Sequence, residues 1–132
     1  MTHAHPDHIG GVLDANGKPA FPNARYVMSR TEWNFWTSGP DLHSTGLDDH
    51  VKEVLVNCAR NNLPPLEECI ELLDGEKEIV PGVYAIPAPG PPGHLALVIS
   101  SSKAQLLHMP DSVLHPMHPE HPAWRNVFDL NT

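Results

Sequence analysis

The chain has 132 residues, 40% hydrophobic and 6% aromatic, with 15 prolines and 9 glycines. That length suits one modest domain rather than two, and so much proline and glycine favours loops and short elements over long helices. The formal net charge of −8, from 16 acidic and 8 basic residues, excludes a basic stripe for a nucleic-acid backbone, and no run is apolar enough to span a membrane.

Residues 1–11 read as a polar, His-rich loop, and 8–14 as a short helical turn stopped by Asn16-Gly17. The first 20 residues contain no apolar segment of the secretory kind, so the default setting is cytoplasmic. Arg25-Tyr26-Val27-Met28 is a short β-type run. Ser29-Arg30-Thr31-Glu32 has the spacing of a capping box, opening a short helix through Trp33 and Trp36 that Gly39-Pro40 ends. Both tryptophans read as packing residues.

The strongest helix signal covers 48–62, where Val51, Val54, Leu55 and Cys58 form one apolar stripe. Strands are expected at 71–73, 78–80, 82–86 and 94–100, with a hairpin turn at 100–103 leading into 105–108. The tail after Asp111 is rich in proline and histidine, and its best helical signal falls near 122–129. Cys58 and Cys69 are too far apart for a C-x-x-C pattern and read as buried thiols. Strands alternating with short helices give an α/β or α+β class, in a single domain over 1–132.

Ten histidines spread from His3 to His121 without forming a run. His3 and His5 are two apart, so on an extended segment both rings point to one side, close enough to share an ion. Pro6 bends the chain, Asp7 and His8 can face a second ion from the following turn, and Gly10-Gly11 lets the backbone pack close behind. Three imidazoles and a carboxylate suit Zn²⁺, and ligand softness also admits Mn²⁺, Fe²⁺ or Co²⁺. By themselves, His94 reads as an exposed loop histidine and Asp111 as a turn residue.

Thr2-His3-Ala4-His5-Pro6-Asp7-His8-Ile9-Gly10-Gly11 resembles the T-H-x-H-x-D-H-x-G-G motif of the metallo-β-lactamase superfamily. Pro89-Gly90-Pro91-Pro92-Gly93-His94 is similar to the family's G-H-T-P-G-H loop, and residues 100–111 to its next strand pair, which ends at an aspartate. Phe21-Pro22-Asn23-Ala24-Arg25, Glu32-Trp33-Asn34-Phe35-Trp36 and His121-Pro122-Ala123-Trp124 resemble the branch of methyl parathion hydrolase and lactonase-like enzymes.

The resemblance implies an αβ/βα sandwich, here a partial one with a mixed sheet, flanking helices and the N-terminal strands missing. It also implies a binuclear centre, most simply two Zn²⁺ ions. His3, His5 and His94 would hold the first ion, Asp7 and His8 the second, and Asp111 would bridge them. Asp7 would also act catalytically, by orienting water or shuttling a proton. The implied reaction is attack of metal-activated hydroxide on a small-molecule lactone, ester or phosphotriester. His108, His115, His118 and His121 acquire no metal role.

Three departures shape the expectation. The chain opens at the metal loop and has no counterpart of the family's last metal-binding histidine, so it looks truncated at both ends. The loop before His94 is one residue shorter, and Pro110 stands where a glycine usually precedes the bridging aspartate, which predicts a different presentation of Asp111. The alternative reading is therefore a weakly active or inactive metal-binding fragment that folds with a partner or as a homo-oligomer.

Overall fold

The computed structural model describes residues 1–43, 45–88 and 90–124. Its first element is a single helical turn, α1 (Pro6–Ile9), which begins at the proline and ends where the Gly10 amide donates to the Pro6 carbonyl. The turn expected over 8–14 therefore starts earlier. Proline has no N–H to lose and a φ already suited to a first helical position.

β1 (Tyr26–Ser29) is buried along its length and leads directly into α2 (Arg30–Thr37). Ser29 occupies the N-cap, but its side chain makes no capping bond. Glu32 does not reach back to it either; its carboxylate turns into the interior, so the expected capping box does not form. α3 (Asp49–Asn62) is capped conventionally: the Asp48 carboxylate accepts from the Val51 amide at 2.9 Å.

The apolar stripe of α3 is divided between two tasks. Leu55 and Ala59 are buried in the core, whereas Val54 is 43% exposed and Val51 only partly covered. α3 packs against α1 and α2, and the core between them is filled by Ile9, Met28, Trp36, Leu55, Leu63 and Leu66. Each fully buried aliphatic chain there contributes roughly 1.5–3 kcal/mol relative to exposure.

β2 (Ile70–Leu73) pairs parallel with β1, Tyr26 standing opposite Ile70. β3 (Lys77–Val80), β4 (Val83–Pro87), β5 (Leu95–Ser101) and β6 (Ala104–His108) form an antiparallel meander in that order. The expected hairpin is the β5–β6 turn, with Ser101 opposite Ala104. The strands thus form two sheets, one parallel and one antiparallel, and the first two residues span them: Met1 N donates to the Val27 carbonyl at 2.7 Å, and the Thr2 carbonyl accepts from Leu95 N at 3.0 Å. This places His3 where the two sheets meet.

Cys58 and Cys69 are free thiols, half-buried rather than fully buried. Beyond β6, the described residues form two single 3₁₀ turns, Pro110–Ser112 and His118–Glu120. Most of the segment expected to be helical near 122–129 lies outside the described residues.

Candidate metal centre

The loop that leaves the sheets at Thr2 stays extended through His5 (φ −74°, ψ 154°) and then winds into α1, with both His8 N and Ile9 N donating to the His5 carbonyl. The extended part puts the His3 and His5 rings on one side, their centroids 4.5 Å apart. The turn folds His8 back, so that its ring lies 4.1 Å from that of His3. Gly10 is required at the exit, because a Cβ there would sit 2.5 Å from the Pro6 carbonyl oxygen.

His94, just before β5, brings a fourth ring to 4.8 Å from His3. The left-handed φ of +77° at Gly93 aims it, and Gly93 lies so close to the start of α2 that a Cβ would come within 2.9 Å of Glu32 Cα. His3, His5 and His94 are all buried. Imidazole Nδ1 atoms are held from outside the cluster: that of His94 lies 2.9 Å from Ser112 Oγ, and that of His3 lies 3.3 Å from Thr2 Oγ1. Such contacts fix ring orientation and tautomer, as hydrogen bonds to the second ring nitrogen of a metal-ligating histidine do.

Asp111 arrives on the 3₁₀ turn that Pro110 opens. The proline does not turn it away: Oδ2 lies 3.4 Å from His3 Nε2 and Oδ1 lies 3.3 Å from His8 Nε2. One carboxylate therefore straddles two imidazoles. Donor atoms of His3, His8 and Asp111 all fall within 4.8 Å of one another, close enough to hold a cation. Asp7 stands apart at the rim, with its side chain 76% exposed and Oδ2 3.5 Å from His8 Nε2.

His3 Nε2 tests whether this arrangement fits a metal. It is fully buried and has no hydrogen-bond partner among the described residues, an expensive condition for a polar atom unless something else fills its lone pair. Burial, reinforced by the imidazoles of His5, His8 and His94, pushes the His3 pKa down to about 2. Burial also lowers that of His5, partly offset by Asp111 and Asp7. The rings are thus held neutral, the form that coordinates a cation. An imidazole set with a carboxylate between its members fits Zn²⁺ or a similar divalent ion.

Two neighbours escaped sequence reasoning. Glu32 is fully buried, accepts from Ala4 N and from Trp36 Nε1 at 2.7 Å each, and burial pushes its pKa up to about 7. Its S-x-x-E setting is the signal that pointed elsewhere. Ser112 gave no signal except its place after Asp111. His108 and His115 are exposed, and neither joins the donor cluster among the described residues. Trp36 is buried, its ring 6.1 Å from that of His5, as a packing role requires.

These shifts set the pH response of the metal-free chain. His3 and His5 have folded pKa values below the ordinary 6.5, so their contribution to stability is intact above pH 6.5 and is lost as pH falls toward about 2. Glu32 has a folded pKa of about 7 against 4.5, so its contribution is full below pH 4.5 and is lost as pH rises toward 7. The two slopes oppose each other between those limits. Thermal melts should give a shallow stability profile from pH 6.5 to 4.5 and a steep fall below it, and Glu32→Gln should steepen the upper segment. A wild-type profile that is flat down to pH 3 would contradict both assignments.

Paired β-ladders flanked by helices, with a histidine cluster at their junction, define the metallo-β-lactamase class of fold. The chain's structural neighbours are hydrolases of the metallo-β-lactamase superfamily. No protein-family model matches it. It is 31% identical over 107 residues to an N-acyl homoserine lactonase of Bacillus cereus, a match covering 80% of this chain and 34% of that protein. The crystal structure of a probable metal-dependent hydrolase from Staphylococcus aureus superimposes with a TM-score of 0.77 at 26% identity, covering 98% of this chain and 43% of the other. AidC, a dizinc quorum-quenching lactonase in complex with its product, gives 0.76 at 29% identity, covering 97% and 46%. The chain spans about a third of the curated relative and under half of each of these two structures.

Proposed function

We propose that this chain carries the metal centre of a lactonase-type hydrolase and that His3, His5, His8, His94 and Asp111 are its ligands, with Asp7 completing the donor set. The observation that carries this reading is Asp111, whose two carboxylate oxygens lie 3.4 and 3.3 Å from different histidines. A carboxylate so placed is suited to bridge two ions, His3, His5 and His94 serving one and His8 and Asp7 the other. Zn²⁺ suits this donor set, and AidC is a dizinc enzyme.

When bound, divalent cations supply Lewis acidity toward a carbonyl or phosphoryl oxygen and make hydroxide available near neutral pH. The chain's own residues then bind and orient. His5, Asp7 and Asp111 form one side of a cleft of about 520 Å³, and Val51, Val54, Leu55 and Leu114 line the rest. An apolar wall beside a polar centre suits a substrate with an acyl chain on a hydrolysable ring or ester. Two solved relatives are complexes with an N-hexanoyl-homoserine product. Asp7, exposed at the rim, would take a proton from water and return it to the leaving alkoxide. N-acyl homoserine lactone is therefore the favoured substrate, ahead of simple esters and phosphotriesters.

A second reading, a metal-binding unit without turnover of its own, is favoured by the far side of the meander. β6 is exposed on both faces, with Leu106 60% and Leu107 50% exposed, and Val80, Tyr84 and Ile99 add to the uncovered apolar surface. A second copy or another protein would cover it. One experiment separates the readings. Zinc content is measured on the purified chain, and ring opening of an N-acyl homoserine lactone is followed with and without chelator. Two ions per chain with chelator-sensitive turnover support the first reading; one ion without turnover supports the second; no bound metal contradicts both.

A further inference from the structure

We infer that Glu32 is the positioning residue of the metal loop, holding both ligand-bearing segments in register without being a ligand itself. The inference rests on the metal reading above. Through its side chain, Glu32 Oε1 accepts the amide of Ala4, the residue between His3 and His5, at 2.7 Å. That bond fixes the extended backbone from which the two rings project to the same side. The same oxygen accepts Trp36 Nε1 at 2.7 Å, and the Trp36 ring packs edge-on toward His5.

Through its backbone, Glu32 forms the wall that Gly93 meets, which leaves no room for a side chain beside His94. One residue at the start of α2 therefore touches the segments carrying three of the clustered imidazoles.

Stability alone gives a poor account of a carboxylate here. Glu32 is fully buried, and its Oε2 has no hydrogen-bond partner among the described residues. Burying such a group costs free energy that an apolar side chain of similar size avoids. What an apolar side chain cannot supply is an acceptor fixed opposite the Ala4 amide. Outer residues that orient ligands in this way typically affect metal affinity about 10- to 100-fold.

The test compares Co²⁺ binding to wild type, Glu32→Gln and Glu32→Asp, by affinity and by the visible ligand-field spectrum, with folding checked by circular dichroism. Gln keeps an acceptor at the same reach but removes the charge; Asp keeps the charge but withdraws the acceptor by one methylene. The expected result is an affinity within about threefold of wild type for Gln, and a loss of about tenfold or more with an altered spectrum for Asp. If Asp does not fold, Ala4→Pro, which deletes the amide donor and leaves Glu32 intact, should show the same loss. Tight binding by Asp, or equal weakening in folded Gln and Asp variants, overturns the inference and leaves the metal reading standing. A wild-type chain that binds no Co²⁺ overturns both.

Discussion

Asp111→Ala is expected to reduce metal affinity by about 100-fold or more and lactone turnover by about 1,000-fold, while changing the stability of the metal-free chain by less than about 1 kcal/mol. The asymmetry follows from the geometry. The carboxylate lies within 3.5 Å of both His3 and His8, and so is shared by the two parts of the proposed centre. Yet the side chain is 24% exposed and sits on a short 3₁₀ turn outside both hydrophobic clusters, so its removal opens no cavity in the core. Without a cation its nearest partners are His3 Nε2 and His8 Nε2 at 3.4 and 3.3 Å, contacts too long to add much to stability. Calorimetric metal titration and urea unfolding of the same preparation separate the two effects. A large loss of apo stability with unchanged metal binding would assign Asp111 a structural role.

His3→Ala should lose both properties, with metal binding weakened by about 1,000-fold and the metal-free fold by roughly 2–4 kcal/mol. His3 is fully buried at the junction of the two sheets and contacts the rings of His5, His8 and His94. Truncation leaves a void with polar walls in the one place where all four converge. It also removes the buried Nε2, which has no hydrogen-bond partner among the described residues, so part of the packing loss is offset. Urea midpoints and Zn²⁺ competition with a chromophoric chelator measure both quantities. Unchanged metal affinity in a folded His3→Ala variant would remove His3 from the ligand set.

Much of this was legible in the sequence because the relevant signals are local. His3, His5 and His8 are set by a six-residue spacing in which an extended segment and a proline-initiated turn decide which way the rings point. The β5–β6 hairpin and α3 follow from apolar runs and caps within one element. His94 and Asp111 could be placed only by resemblance, since nothing near either residue says that the fold returns it to His3.

What stayed hidden depends on packing. Ser29 and Glu32 have capping-box spacing, but the pull of the Ala4 amide and the Trp36 indole redirects the carboxylate inward. The α3 stripe predicts one buried face, whereas the structure gives Leu55 and Ala59 to the core and leaves Val51 and Val54 to the cleft. A helical period reports apolarity, not which neighbour covers it. Pro110 suggested a displaced Asp111, and the 3₁₀ turn it begins still delivers the carboxylate to both histidines.

Whether one carboxylate joins two histidine groups around bound metal is answered by anomalous scattering at the zinc edge, from crystals of the chain grown with Zn²⁺. Zinc peaks are expected between His3 Nε2, His8 Nε2 and the two oxygens of Asp111, with His5 and His94 beside the peak at His3. Zinc bound only at exposed histidines such as His108 or His115, with no peak at His3, would contradict that arrangement.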